Sequence, residues 1–500
     1  MNGPVLWRHL RRPAVWVLIG VALVLMGFAL IRPLDHDESQ YVAATLLARH
    51  GVIYRDFAYL QTPLQPLLFA PLVGAWAFVE LRLLNALLGA GCIAFVYAAS
   101  RRGGAGRREA LLAAGLLGCC DSFLFGAAVA RNDMLPACLF AAALWLMVKR
   151  TEGCGSAGHA AAIGLLLSAA TAAKLSYALP ALAYGGLALA DRRYRPGWLL
   201  LGAMPPALLV ATSWAGAPAA FAFDVLRFPT AAPEQFYAIH AAGKLGIPGR
   251  ALDILKFLAL GPALLASMIV LTDFRRRNRL AVMLDVMIVA GLIAAILPAP
   301  TWRQYLLVMI VPLFVRLSLT PALQRPAKGL RIAAAVFVVA GLVPSTIALV
   351  EAVRTRPPVF AAIAYGRALR STMDRLHVAG PVATLSPQMI APAGRPIDPR
   401  FATGPFFFRS DGLLSPDDER RFVLVSRANA AAQLSRRPPA AIVTGGEASW
   451  TSGDDRLDAT LAAVARRQGW TAVAVPATPF TLFLPPSRGQ ALFQRSRKQL

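Results

Sequence analysis

Long apolar runs separated by short polar breaks fill the first 350 residues, and a different pattern occupies the remainder. The first run, residues 14–31, is long enough for one crossing, since a helix needs roughly 17–25 apolar residues to traverse the hydrocarbon core. Further runs lie near residues 80–99, 110–129, 134–148, 159–174, 177–190, 198–214, 251–271, 280–297, 305–319 and 332–350. Together they predict about eleven spans. The stretch 63–100 exceeds one span and falls short of two, so the reading places a membrane-surface helix at 63–78 and a span at 80–99. From Glu351 onward the apolar runs shorten to strand length, at 381–385, 441–446 and 471–475. Helical periodicity occupies 361–377, 416–433 and 455–468, with Asp454 and Asp455 suited to the start of the last helix. The pattern predicts a polytopic α-helical membrane domain over 1–350 and a small α/β domain over 351–500.

Charge orients this pattern. Arg8, Arg11 and Arg12 precede the first run, and Arg101, Arg102, Arg107 and Arg108 crowd a later break. Lys149 and Arg150, then Arg192, Arg193 and Arg195, then Arg275, Arg276, Arg277 and Arg279, then Arg325, Lys328 and Arg331 mark every second loop. The intervening loops hold Asp133, Asp224, Glu234 and Arg303. Basic loops stay in the cytoplasm, so residues 35–38 and the C-terminal domain are expected outside it. Arginines within 351–500 do not oppose this, because long domains cross largely regardless of charge. Residues before Asp35 lack a small-x-small cleavage pattern, so the first run is expected to persist as a span.

Composition narrows the class. At 57% hydrophobic and 15% charged, with mean hydropathy +0.55, the 500-residue chain is too apolar for a soluble protein. The formal charge of +25 does not indicate nucleic acid, because the arginines form short clusters between apolar runs with no aromatic-interleaved stripe. Cys92, Cys119, Cys120, Cys138 and Cys154 show neither metal-ligand spacing nor a disulfide framework.

Asp35, Asp37 and Glu38 stand where the first apolar run ends. Acids gathered at a bilayer boundary raise one another's cost of ionisation, which points to cation binding or proton transfer. Asp35, His36 and Asp37 are ligand types for a divalent cation, and the sequence leaves open whether they bind one. The loop reads Asp37-Glu38-x-x-Tyr41, then Ala44, Leu47, Gly51, Tyr54, Asp56 and Pro63. Arg131-Asn132-Asp133 precedes a later span, and Trp302-Arg303-Gln304-Tyr305 runs on to Pro312.

These motifs resemble, in order, those of the GT-C glycosyltransferases, in the branch of protein O-mannosyltransferases and the lipid A aminoarabinose transferase. The resemblance covers residues 1–350. It implies a sugar moved, with inversion, from a polyprenyl-phosphate donor to a glycan, lipid or protein hydroxyl at the outer face of the cytoplasmic membrane. Such a reaction needs a base for the acceptor proton and cations for the departing phosphate. By the resemblance Asp37 is the base, with Glu38 or Asp133 orienting the acceptor or assisting. Arg303, Lys174 and Arg131 are the candidates for the donor phosphate, and Tyr41, Tyr54 and Tyr305 for substrate contact. Gln61-Thr62-Pro63-Leu64 stands where the family carries Lys-Pro-Pro, so either Lys174, Arg131 or Arg303 substitutes for the missing lysine or the donor is held differently. A transporter or a non-catalytic envelope-assembly protein would share the many spans, although no repeat of broken helices relates the two halves.

Overall fold

The computed structural model describes residues 13–151, 156–273, 278–354, 358–447 and 455–486. Arg8, Arg11, Arg12, Cys154, Arg275, Arg276, Arg277 and Asp454 lie outside the described residues. The chain divides into two compact units. Unit 1 comprises Met1–Leu30, Arg82–Ala211 and Tyr237–Glu351; unit 2 comprises Ile31–Leu81, Thr212–Phe236 and Ala352–Leu500. Two segments that the sequence pattern groups with the membrane domain, 31–81 and 212–236, thus belong with the C-terminal residues.

Unit 1 is helical. Ala77–Arg102, Pro196–Gly216, Arg279–Ile296 and Lys328–Arg354 are long and apolar enough to cross a membrane. Two of the apolar runs are broken: Arg107–Gly118 meets Asp121–Ala128 at 67°, and Ile247–Ala259 meets Ala263–Thr272 at 102°. Among the described residues, counting each bent pair as one span gives up to six, and shorter apolar helices occupy Trp16–Ile31, Met134–Lys149, Ala157–Ala173 and Leu175–Ala190. The run at 305–319 becomes a short 3-10 turn, Arg303–Leu306, and a fully buried helix, Leu307–Ser318. That helix packs on Arg279–Ile296 and Arg107–Gly118. Its Arg316 is buried and donates to Asp273 Oδ2 at 2.9 Å and Asp285 Oδ1 at 3.1 Å, which gives the enclosed charge its partners.

The two breaks meet. The Asp121 N–H donates to the Leu260 carbonyl at 2.9 Å. Gly261 has a positive φ of 143°, and a Cβ there would lie 2.7 Å from the Cys120 Cα. Backbone freed at a helix break costs several kcal/mol in hydrocarbon unless protein satisfies it. Each break here supplies the other.

Unit 2 contains a four-stranded sheet, β1 Val382–Thr384, β2 Ala441–Thr444, β3 Thr471–Ala474 and β4 Thr481–Leu484, in the order β1-β2-β4-β3. β1 and β2 are parallel, in register Val382 to Ala441, and β4 runs antiparallel to both β2 and β3. Helices Pro358–Arg375 and Asp455–Arg467 match the periodic stretches, whereas 416–433 splits into Pro416–Arg421 and Ala430–Arg436. The intervening Phe422-Val423-Leu424-Val425 favours extended backbone over helix. Ala58, Leu60, Phe223, Phe228, Phe407 and Leu424 form one apolar cluster, which explains why 31–81 and 212–236 join the C-terminal segment.

Candidate functional site

In unit 2 the acid loop turns into helix Glu38–Leu47. Asp35 Oδ1 accepts from the Asp37 N–H at 2.9 Å, and Glu38 Oε2 accepts from the Asp35 N–H at 2.8 Å. This reciprocal bonding satisfies donors at the helix start. Glu38 is fully buried, and its carboxylate is engaged in holding the loop. Asp37 keeps 21% of its side chain exposed, and His36 Nε2 lies 3.0 Å from its Oδ1. Ligand atoms of Asp35, His36 and Asp37 lie within 4.8 Å of one another, close enough to share one cation. The helix packs on the 3-10 turn Pro387–Met389, and Gly404 approaches so near that a Cβ there would meet Ser39.

Arg409 Nη1 stands 3.5 Å from the same His36 nitrogen. One ring nitrogen cannot donate to Asp37 and accept from Arg409 at once. Burial lowers the His36 pKa, but Asp37 and then Asp35 outweigh burial and Arg409, so it is raised above 6.5 and the nitrogen donates to Asp37. Glu447, on the turn after β2, is within electrostatic reach of His36, Arg409 and Asp37. Burial above all pushes its carboxyl up to about 8. Asp458 accepts from the N–H groups of Gly445 at 2.7 Å and Glu447 at 3.0 Å and so fixes that turn.

The tyrosines of the motif are internal. Tyr41 is buried edge-on against Tyr59, at 6.2 Å between centroids. Tyr54 is buried with φ 69°, donates its hydroxyl to the Gln61 carbonyl at 2.7 Å and packs on Phe221. Asp56 closes the same turn by accepting from the Val52 N–H at 2.7 Å. Asp224, on a π-helical turn at Phe223–Arg227, accepts from the Tyr59 N–H at 3.2 Å, and burial raises its pKa well above 3.8.

Unit 1 gathers the candidate cations. Asp133, 1% exposed, bonds Lys174 Nζ through Oδ1 and Arg131 Nε through Oδ2, the latter at 3.3 Å. Asn85 Nδ2 donates to the carbonyls of Val129 and Arg131 at 2.7 and 2.8 Å, and Asn132 bonds the Ala173 carbonyl, which fixes the chain around Asp133. Lys174 Nζ lies 5.3 Å from the ring centre of half-buried Tyr305. Arg303 pairs with Asp121 at 2.9 Å, and its guanidinium lies 3.8 Å above the Phe125 ring, with Arg131 5.6 Å from that same ring. Arg131, Asp133, Lys174, Arg303 and Tyr305 therefore form one neighbourhood around helix Asp121–Ala128.

Asp121, Arg409 and Glu447 escaped the sequence reading. Asp121 carried a signal, a lone acid inside an apolar run. Glu447 and Arg409 carried none, because only the tertiary fold brings them to the acid loop.

No protein-family model matches the chain, and no curated protein matches it in sequence. Solved structures match it in fold. ArnT from Cupriavidus metallidurans bound to undecaprenyl phosphate aligns with TM-score 0.62 and 15% identity over 94% of this chain and 98% of that one. ArnT of the same organism in the apo state gives 0.61 and 16%, over 95% and 98%. The oligosaccharyltransferase AglB from Archaeoglobus fulgidus, in complex with an inhibitory peptide and a dolichol-phosphate, is more distant, at 0.46 and 13% over 94% and 74%. The chain shares the fold of ArnT, and its apolar helices fit a polytopic membrane protein.

Proposed function

We propose that the protein is a glycosyltransferase that moves a sugar from a polyprenyl-phosphate-linked donor to a hydroxyl of a glycan, lipid or protein of the cell envelope. The reaction takes place at the outer face of the cytoplasmic membrane and inverts the anomeric carbon. One observation carries this reading: Arg131, Lys174 and Arg303 are gathered in unit 1 around Asp133 and Asp121. Three cationic side chains brought together among apolar helices mark a place that favours an anion. A phosphate, with several acceptor oxygens for guanidinium and ammonium donors, suits that place. The GT-C fold and the undecaprenyl phosphate bound by ArnT support the choice of lipid phosphate.

In this reading the unit 1 cations hold the donor phosphate and stabilise the charge it gains on departure. Asp133 keeps Arg131 and Lys174 in place. Asp37 takes the acceptor proton, Glu38 braces the loop, and Tyr305 lines the donor side. The eleven-span arrangement, with residues 1–350 as catalytic membrane domain and 351–500 outside the cytoplasm, belongs to the same proposal.

The test is transfer from radiolabelled polyprenyl-phosphate sugars by purified protein. Asp37→Asn is expected to lower turnover at least about a hundredfold, the usual worth of a general base, with folding unchanged. Turnover within about tenfold of wild type removes Asp37 from the role. The same assay after EDTA dialysis decides the question of a cation at Asp35, His36 and Asp37: loss of activity restored by a divalent metal assigns one, and an unchanged rate leaves Asp37 acting alone.

A further inference from the structure

Helix Asp121–Ala128 begins on an acid that a purely structural apolar span does not need. Asp121 is 1% exposed, and its Oδ2 accepts from Arg303 Nη1 at 2.9 Å. One turn further on, the Phe125 ring centre lies 3.8 Å from the carbon of the same guanidinium. The carboxylate fixes where the fork points and the ring supports it from one side, while 29% of the arginine side chain stays exposed.

The backbone beneath this pair is fixed as well. Cys120 is extended, at φ −81° and ψ 129°, and the helix restarts at Asp121, whose N–H is tied to Leu260 across the second break. The approach of Gly261 leaves no room for a Cβ between the two chains. A buried ion pair is a poor stabiliser compared with well-packed apolar residues, so its presence at a braced helix break points to orientation as its purpose.

We propose that Asp121 is the positioning residue for Arg303, holding its guanidinium in the geometry that receives the donor phosphate as it departs. This rests on the reading of Arg303 as a phosphate-binding residue. Asp121 touches no substrate and acts through the arginine. Two consequences separate it from a structural ion pair. Freed from its anchor, Arg303 stabilises the leaving phosphate less well, so kcat falls. Removal of one negative charge leaves the cluster more cationic, so the KM for the donor does not rise.

The experiment is steady-state transfer from a radiolabelled polyprenyl-phosphate sugar, normalised to folded protein, for Asp121→Asn, Asp121→Glu, Arg303→Ala and the Asp121→Asn/Arg303→Ala double variant. Asp121→Asn is expected to lower kcat about tenfold or more with donor KM unchanged or lower, and Asp121→Glu to recover part of the loss. In the Arg303→Ala background the Asp121 change is expected to alter kcat less than about twofold, since nothing is left for it to position. Wild-type kcat in Asp121→Asn, or the same loss in both backgrounds, overturns the proposal while a damaged Arg303→Ala leaves the phosphate reading standing. Wild-type kcat in Arg303→Ala instead defeats that reading itself. Should Asp121→Asn not fold, Phe125→Leu removes the ring under the guanidinium and is compared in the same two backgrounds with the same outcomes.

Discussion

Asp133 binds a different cation with each carboxylate oxygen, and so the two cations depend on one side chain. Asp133→Asn is expected to destabilise the protein by about 3–5 kcal/mol, because removal of one partner from a buried pair strands the others. Lys174→Met in that background should return part of the loss, as read by thermal unfolding in detergent; a single variant within a degree of wild type would show that the pairing contributes little to the fold. Asp224 answers to pH. Burial raises its folded pKa above the unfolded value, so the native state keeps a proton that the unfolded chain releases. Its effect is absent below the unfolded pKa, and stability falls as pH climbs from there toward the folded pKa. Asp224→Asn keeps an acceptor for the Tyr59 N–H and has no proton to lose, so it should raise the apparent Tm at pH 7 and have little effect near pH 3. An equal gain at both pH values would contradict the linkage. At this scale the sequence singled out Asp37, Asp133 and Arg303 through their motifs, but not that Lys174 and Arg131 share one acid, since that depends on Asp133 and Lys174, 41 residues apart, being brought together.

Among the helices, glycine marks where backbones touch. A Cβ on Gly202 would lie 1.8 Å from the Ala161 carbonyl oxygen, and one on Gly164 would lie 1.9 Å from that of Leu199, so Ala157–Ala173 and Pro196–Gly216 meet without side chains between them. Gly202→Ala is expected to cost about 1–3 kcal/mol through forced separation. Gly185→Ala, with nothing within 4 Å, should be neutral or stabilising by up to about 1 kcal/mol. Thermal shifts of the same sign and size for both would show that the contact is not tight. Hydropathy located these helices because each run is apolar and ends at charge. It passed over both breaks, since Cys119 and Cys120 and the Leu258–Leu260 stretch keep the average high. The Gly261-Pro262 dipeptide was a readable breaker. The fourth strand, Thr481–Leu484, escaped the sequence reading, and it is identified by pairing with β2 and β3.

For the molecule as a whole, the alternation of basic and non-basic loops makes a prediction about sidedness. In a cysteine-free background, exposed Ala428→Cys should react with an impermeant maleimide applied to right-side-out vesicles, and exposed Gly329→Cys only after lysis. Reaction of both from one side would break the eleven-span arrangement. The sequence made the change of pattern at residue 351 visible, but periodicity is local and does not reveal that residues 31–81 and 212–236 belong with the C-terminal segment. That discontinuity has a consequence for the order of synthesis. A ribosome completes Asp37 and Ser39 several hundred residues before Gly404 and the Pro387–Met389 turn against which this segment packs. At roughly 5–20 residues per second the interval is on the order of tens of seconds. Throughout it the nascent chain holds inserted helices and no assembled acid loop. A product of premature termination after residue 351 would carry Asp37 yet lack Gly404 and the Pro387–Met389 turn, and so could never complete the packing around its proposed base.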